Sequence, residues 1–378
     1  MRHQAHPRRR TEAQGFTLVE ILVVITIIAI LAGLLIPAIG IVIERGKIGR
    51  IKMEITSLAM AAEAYHNKYG DYPPDFSDWN VVTRHFRSAF PRMDAGEMTL
   101  LTNLTHGGTP TFSPVGIDRA EALVLTLGGY SSDPVHPLTG PGGPLEFIGG
   151  ATDSPTDPAY YQYRADRDNA FFTFDVSRMT MTPMDANASL STTNKLSSTD
   201  EAEFSTGPWA DPLPAYRPAE GVAPYVYFES RTYGYLAASG AFNGYGPNSA
   251  GIATSEIGAV RPYKTNRPNP NTGGGYTDLS DASEAFDFMN AGTFQIISAG
   301  PDNRFGTIVG TDDTTPVYFL YPTGQAMLVS ASATNPGDML SSSNGYQENS
   351  LNTSIMDNSH YDNVTNFSEG TLEDEVEE

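Results

Sequence analysis

The sequence contains no cysteine among its 378 residues. Disulfide bonds are therefore excluded, and packing or a bound ion must hold the loops of any part that functions outside the cytoplasm. Basic residues are also scarce, because 23 Lys and Arg stand against 44 Asp and Glu and give a net charge of −21. Binding to nucleic acid needs clustered Lys and Arg, so the composition argues against that partner.

The sequence also lacks the common catalytic signatures. Of its seven histidines, His3 and His6 lie near the start, and the others are scattered without His-x-x-x-His spacing. Neither a Gly-x-Ser-x-Gly nucleophile motif nor a Gly-x-x-x-x-Gly-Lys-Ser/Thr phosphate loop occurs. These absences predict that the protein is not an enzyme.

One long apolar run stands near the N-terminus. Ile21 to Ile43 are 23 consecutive residues without a charge. As a helix rising about 1.5 Å per residue, such a run is long enough to cross a hydrocarbon core of about 30 Å. Arg8, Arg9 and Arg10 precede it. The positive-inside rule therefore predicts a single-pass protein with a cytoplasmic N-terminus and a translocated C-terminal domain.

The apolar run could also be a cleaved secretory signal peptide or an uncleaved signal anchor. The apolar region of a cleaved secretory signal peptide is about 7–15 residues long and is followed by a small-x-small cleavage site, which does not stand out here. An uncleaved signal anchor fits the hydropathy equally well. Hydropathy alone leaves that alternative open.

The residues at the start of the run decide between these interpretations. Gly15-Phe16-Thr17-Leu18-Val19-Glu20 resembles the processing motif of type IV pilins and of type II secretion pseudopilins. The resemblance implies that prepilin peptidase, a membrane aspartic peptidase, cleaves after Gly15 and that the new N-terminal Phe16 is methylated. Glu20 and Pro37 then fall at the positions where the family carries these two residues. Residues 1–15 are thereby a basic leader.

A carboxylate within an apolar span has an energetic cost. Insertion of an acidic residue at the centre of a membrane helix costs about 2.5–3.5 kcal/mol. The resemblance supplies a partner for Glu20, namely the ammonium of Phe16 in a neighbouring subunit of the filament. Pro37 removes one helical hydrogen bond, which a packed bundle of helices can accommodate.

A second helical pattern continues directly from the apolar run. Its apolar positions are Ile48, Ile51, Ile55, Leu58, Ala62, Tyr65 and Tyr69. Steps of three and four place these residues on one face. The pattern predicts one helix from about Phe16 to Tyr69, which Gly70 and the pair Pro73-Pro74 terminate. The end of this helix, residues 64–74, is also similar to the helix exit of major pseudopilins.

The remainder indicates an α+β fold, with the long N-terminal helix packed as a spine on a small antiparallel sheet with large loop insertions. The predicted helices are 120–127 and 280–289, and the predicted strands are 171–176, 225–228, 294–297, 317–320 and 327–329. The predicted divisions are a leader (1–15), a spine helix (16–70, in the membrane over about 16–43), a periplasmic globular domain (71–368) and a disordered acidic tail (369–378).

The run from Ile297 to Asn303, with Ser298, Gly300 and Asp302, is similar to the calcium loop of major pseudopilins. In that family a second acidic pair follows, which here would be Asp312 and Asp313. Calcium prefers six to eight oxygen ligands from carboxylates and carbonyls, which a loop rich in Gly and Asp can supply. The resemblance therefore implies a Ca²⁺ site, and the alternative is an ordinary solvated acidic turn. Asn303 replaces the glycine that is usual in the motif.

The resemblance implies a structural subunit of a periplasmic type II secretion filament, anchored in the inner membrane. Its partners would be prepilin peptidase, other pseudopilin subunits, the inner-membrane secretion platform and membrane lipid. The alternative is a major or minor type IV pilus subunit that acts in adhesion or DNA uptake. The absence of cysteine favours the first function, because many type IV pilins close their C-terminal loop with a disulfide.

Overall fold

The computed structural model divides the chain into two compact units, residues 1–46 and 47–378. The structure describes residues 17–105, 117–183, 196–198, 212–219, 221–234, 260–269, 276–305, 317–322, 325–329, 332–339 and 362–377. Gly15 and Phe16, the predicted cleavage site, lie outside these ranges. Asp312 and Asp313, two of the predicted calcium ligands, also lie outside them.

The long N-terminal helix is present as α1, which covers Leu18–Tyr69. Its end is set by Gly70, which has φ +81° and donates its N–H to the carbonyl of His66 at 2.7 Å. A left-handed glycine is a common helix C-cap because other residues are strained in that conformation. The predicted end of the helix is confirmed.

The first unit contains the apolar part of α1. Its large apolar side chains are exposed all around the helix, from 81% for Leu18 to 49% for Ile21. Within the part of the chain that the structure describes, no helix meets the length and hydropathy needed to cross a membrane. The span predicted for residues 16–43 therefore stays a prediction.

In the second unit, α1 buries the face that the sequence predicts. The buried residues on this face are Ile51, Ile55, Leu58, Ala62 and Tyr65. Ile48 and Tyr69 are partly buried against the same core. Their spacing of three and four residues keeps all seven on one side of the helix.

Three shorter helices pack around this face: α2 (Trp79–Ala89), α3 (Ala95–Leu104) and α4 (Ala122–Leu127). Asp78 and Asp94 cap the first two, accepting from the N–H groups of Asn80 at 2.8 Å and Gly96 at 2.6 Å. Such caps satisfy backbone donors that a helix leaves without a partner. The sequence pattern predicts α4 but neither α2 nor α3.

Eleven strands occur in the described residues. They are β1 (Leu145–Phe147), β2 (Tyr161–Tyr163), β3 (Met181–Pro183), β4 (Leu196–Ser198), β5 (Val226–Glu229), β6 (Tyr263–Pro268), β7 (Phe286–Phe288), β8 (Phe294–Ser298), β9 (Val317–Tyr321), β10 (Gln325–Leu328) and β11 (Val364–Thr365). The sequence predicts β5, β8, β9 and β10 to within two residues at each end.

These strands form four separate sheets. β1 pairs with β2 and β3 with β4, while a three-stranded sheet has the order β11-β8-β5 and a four-stranded sheet the order β10-β9-β6-β7. Among the described pairs only β6 and β9 are parallel, with Tyr263 opposite Phe319. The fold is therefore mixed helix and sheet, and the predicted antiparallel pairing holds for every described pair except this one.

The strand predicted at 171–176 is wrong. The N–H groups of Phe171 and Phe172 both donate to the carbonyl of Leu127, at 2.8 and 3.1 Å, instead of to a neighbouring strand. The side chain of Asp175 then accepts from the N–H of Ser177 and starts a 3₁₀ turn at Val176–Arg178. The backbone of this aromatic segment thus binds the end of α4 and does not join a sheet.

The helix predicted at 280–289 is too long. α5 covers only Leu279–Ser283, with Asp278 as its N-cap, and β7 begins at Phe286. Lys264 in β6 stabilises the transition from α5 to β7, because its Nζ donates to the carbonyls of Ser283 at 2.7 Å and Phe286 at 2.8 Å. A short helix, α6 (Pro336–Met339), follows later in the chain.

The acidic tail is also ordered, contrary to its prediction. It forms α7 (Leu372–Glu377). Leu372 is fully buried, and its N–H donates to the carbonyl of Asn363 at 3.1 Å. Asp374 accepts from the N–H and hydroxyl of Thr371 and caps the helix. One buried leucine and a cap outweigh the repulsion among the acids.

Candidate functional site

The start of α1 is closed by a reciprocal pair of hydrogen bonds. The N–H and hydroxyl of Thr17 donate to Glu20 Oε2 at 2.8 and 2.9 Å, and the N–H of Glu20 donates to Thr17 Oγ1 at 3.2 Å. This is a capping box, in which a Thr and a Glu three residues later satisfy each other's backbone donors. The Thr-x-x-Glu spacing of the capping box is visible in the sequence. The role that the sequence analysis predicts for Glu20 is instead a pairing with another subunit.

The capping box places the Glu20 carboxylate at the first turn of α1, where it is exposed. Oε2 accepts both bonds from Thr17, so this oxygen holds the start of the helix. Pro37 lies within α1, and its side chain is outside the described part.

A carboxylate on α1 fastens this helix to the sheet region of the second unit. Glu54 accepts a bidentate pair of bonds from Arg178, at 2.7 and 2.5 Å. It also accepts from the hydroxyls of Tyr225 at 2.6 Å and Tyr216 at 3.2 Å. Arg178 neutralises the charge of this half-buried carboxylate, and the four donors together fix the rotation of the helix.

A buried ion pair joins the segment after α1 to the segment before α4. Arg119 Nε donates to Asp75 Oδ2 at 3.0 Å, and their side chains are 4% and 0% exposed. The same carboxylate oxygen accepts from the Thr232 hydroxyl at 2.6 Å. Arg119 also donates to the carbonyl of Thr232 at 3.3 Å and lies 4.7 Å from the centre of the Phe228 ring. The pair is thus desolvated and fully engaged.

The C-terminal segment is attached to α1 without a covalent link. Lys52 Nζ donates to the carbonyl of Thr365 at 2.9 Å and to that of Ser368. Burial lowers the pKa of Lys52, which the nearby carboxylates of Glu375 and Glu369 oppose. Asn366 extends the β11–β8 pairing, since its Oδ1 accepts from the N–H of Ile296 at 2.9 Å. Hydrogen bonds therefore hold the C-terminal segment to α1.

The predicted calcium loop begins as a tight turn after β8. Gly300 has φ +69°, and a Cβ there would meet the carbonyl oxygen of Asp362 at 2.0 Å, so only glycine fits. Its N–H donates to Ser298 Oγ at 3.4 Å. Asp302 Oδ1 accepts from the N–H of Arg304 at 2.7 Å. The turn thus holds Ser298, Gly300 and Asp302 close together, and the calcium-binding role of these residues stays a prediction.

The second carboxylate at this turn is Asp362, which the sequence analysis does not predict. Its Oδ2 accepts from the N–H of Asp302 at 3.1 Å, whereas its Oδ1 is buried and has no hydrogen-bond partner among the residues that the structure describes. Burial and the neighbouring Asp302 carboxylate raise the pKa of Asp362. Among the described residues no three His, Cys, Asp or Glu side chains cluster as a metal site would require.

The N-terminal part of the chain matches a known family model. Residues 10–36 match the model of the prokaryotic N-terminal methylation motif. The chain carries the type IV pilin and pseudopilin signature. This match contains Gly15, Phe16 and Glu20, so the resemblance at the processing site is confirmed. No match was found among curated proteins or among solved structures.

The pilin signature supports a structural subunit that prepilin peptidase processes and that assembles with other pilin subunits. It also suggests a membrane-anchored protein with a periplasmic domain. The fold itself is mixed helix and sheet, with antiparallel sheets and a long N-terminal helix.

Proposed function

We propose that the mature chain is a pseudopilin, a subunit of the periplasmic filament of a type II secretion apparatus. The observation that supports this function is the methylation motif at residues 10–36. Prepilin peptidase would remove residues 1–15, and the mature chain would begin with a methylated Phe16. Subunits would rest in the inner membrane and be drawn into the filament by the secretion platform.

The anchor in this proposal is the apolar part of α1. Its side chains are apolar on all sides from Ile21 to Ile43, and a helix of that kind needs an apolar environment. Lipid supplies it before assembly, and the neighbouring helices supply it within the filament. Glu20 would pair with the ammonium of Phe16 of another subunit, and Pro37 would be accommodated by the helical bundle.

The second candidate function is a subunit of a type IV pilus. The absence of cysteine and the hydrogen-bonded attachment of the C-terminal segment by Lys52 and Asn366 favour the secretion filament. Both systems use the same processing chemistry, so the motif does not separate them.

A deletion strain separates these two functions. We expect loss of the chain to retain normally secreted folded proteins in the periplasm, while surface filaments and adhesion are unchanged. The native gene should restore secretion, and a Gly15→Phe variant should not, because the bulky residue blocks cleavage. Mass spectrometry of culture supernatants measures secretion. Loss of surface filaments with normal secretion would assign the chain to a pilus.

Calcium binding at the turn after β8 is part of the same proposal. Asp302 and Asp362 would supply carboxylates, the backbone near Ser298 and Gly300 would supply carbonyls, and Asp312 and Asp313 would complete the shell. The buried, unpartnered Oδ1 of Asp362 is the observation that favours a cation here. A cation would also offset the repulsion between two neighbouring carboxylates.

Thermal unfolding of a fragment beginning at Lys47 tests the calcium site. An ion that binds only the folded state adds about 2.7 kcal/mol at a hundredfold excess over its Kd. We therefore expect a higher melting temperature in calcium than in chelator. Asp302→Ala should abolish the difference, and Asp166→Ala, which removes an exposed acid elsewhere, should preserve it. An equal melting temperature in calcium and in chelator would show that the loop is an ordinary acidic turn.

A further inference from the structure

A cleft opens beside the parallel pair of strands β6 and β9, where Thr265 lies opposite Tyr321. We call it the sheet cleft. Its lining comes from β6, from Met289 after β7, from the end of β9 and from α7. Its volume is about 440 Å³. Sites for small molecules in proteins have volumes of about 300–1,000 Å³, so the sheet cleft is large enough for an organic ligand.

One part of this lining is apolar and includes an aromatic ring. Met289, Tyr321 and Pro322 supply the apolar surface. The Tyr321 ring is held from two sides, because it packs on Phe367 with ring centres 5.6 Å apart and its hydroxyl donates to Glu375 Oε2 at 2.8 Å. An aromatic ring that is fixed in this way presents a ready contact for the C–H groups of a ligand.

The polar side chains of β6 form a second part of the lining. They belong to Thr265, Asn266 and Arg267. The hydroxyl of Thr265 donates to the carbonyl of Arg267 at 3.1 Å. Asn266 and Arg267 are exposed, and within the described ranges their side chains take part in no hydrogen bond or ion pair. Arginine offers five N–H donors, and asparagine offers both donors and an acceptor, so these two side chains are available to a ligand.

Glu375 of α7 adds an acceptor to the same cleft. Its carboxylate is held in place, since it accepts from the Tyr321 hydroxyl and from the N–H of Glu369 at 2.5 Å. The ammonium group of Lys52 is close enough to offset part of its charge. An ionised carboxylate has about four acceptor positions, so Glu375 can accept further hydrogen bonds from a ligand.

This combination of groups restricts the chemistry of the ligand. A wholly apolar ligand would cover Asn266 and Arg267 without replacing their hydrogen bonds to water, which is costly. An anionic ligand would be repelled at a distance by a chain of net charge −21 and would meet Glu375 in the cleft. A neutral ligand with adjacent hydroxyl groups and apolar C–H faces fits both parts of the lining. Saccharides have that chemistry.

We propose that the sheet cleft binds a neutral saccharide. Arg267 and Asn266 donate to its oxygens, Glu375 accepts from its hydroxyl groups, and Tyr321 and Met289 contact its C–H groups. The bound saccharide would attach the globular unit to a polysaccharide surface. The cleft lies within the second unit alone, so the proposal does not depend on the secretion function proposed above.

Saturation-transfer NMR on the full-length protein in lipid nanodiscs tests the proposal, because nanodiscs avoid detergents with sugar headgroups. The neutral probes are cellobiose and N,N′-diacetylchitobiose, and succinate is the anionic probe. We expect transfer to the C–H protons of at least one disaccharide and none to succinate. Arg267→Ala should weaken disaccharide binding at least about tenfold, because a hydrogen bond from a charged donor contributes at least that factor. Asn266→Ala should also weaken it.

The matched control is Arg92→Ala, which removes an exposed arginine outside the sheet cleft and should leave disaccharide binding unchanged. Equal melting temperatures for the native protein and the three variants would show that folding is intact. Nanodiscs without protein give the background. The proposal would be overturned by an absence of transfer to both disaccharides, by transfer to succinate alone, or by equal affinities of the native protein and Arg267→Ala.

Discussion

Replacing Glu20 with leucine should leave the protein in the membrane but exclude it from filaments. A carboxylate in an apolar span costs about 2.5–3.5 kcal/mol, so its removal does not hinder insertion. What the variant loses is the charge that would pair with Phe16 of a neighbouring subunit. We therefore expect wild-type abundance in the membrane fraction and no detectable chain in sheared, purified filaments. Immunoblots of both fractions measure this.

The capping box provides the control for this experiment. Thr17→Ala removes the hydroxyl and therefore both bonds between Thr17 Oγ1 and Glu20, while it keeps the carboxylate and the backbone N–H bond to Oε2. A lost cap costs about 1 kcal/mol, so we expect that variant to enter filaments at near-normal levels. If both variants failed to enter filaments, Glu20 would act only as a helix cap. Normal entry of Glu20→Leu would refute pairing between subunits.

Replacing Arg119 with methionine should destabilise the globular unit by about 3–5 kcal/mol. The variant leaves the Asp75 carboxylate, which is 0% exposed, without its charged partner. The hydroxyl of Thr232 remains as a donor but cannot compensate a full charge. Urea unfolding of the fragment beginning at Lys47 should show a lower midpoint with an unchanged slope.

Two further variants test the cause of that loss. Arg119→Met combined with Asp75→Asn should recover part of the stability, because no buried charge is then left unpaired. Arg92→Met replaces an exposed arginine, so it should cost less. A loss below about 1 kcal/mol for Arg119→Met would contradict the account of this pair.

The features that were predicted correctly from the sequence depend on signals between neighbouring residues. The repeat of three and four residues predicts the buried face of α1, and Gly70 predicts its end, since both depend on neighbours within a few positions. The processing motif is equally local, and the family model matches there. β5, β8 and β9 have enough branched and aromatic residues to be recognised alone.

The errors arose where distant residues decide the local structure. The segment 171–176 has a strand-like composition, but its backbone donors are taken by Leu127. α5 gives way to β7 because Lys264 binds the carbonyls between them. The spacing of apolar residues does not predict such contacts, because their energies depend on a partner far away in the chain.

The candidate sites show the same limit. Asp302 is predicted as a ligand, yet its carboxylate neighbour Asp362 lies 60 residues further along the chain. The pair Asp75 and Arg119 joins residues 44 positions apart. Only folding brings these groups together, so a single sequence identifies one member of each pair at most. Thr17 and Glu20 are the exception, because their spacing of three residues is itself the signal.

The N-terminus of the mature chain tests the central claim most directly. Intact-mass and peptide mass spectrometry of the protein purified from membranes should find a chain that begins at Phe16 and carries one methyl group on its amino nitrogen. That result requires cleavage after Gly15 by prepilin peptidase and supports a pilin-like subunit. A chain that retains residues 1–15, or one that is cut after Ala38, would contradict the account.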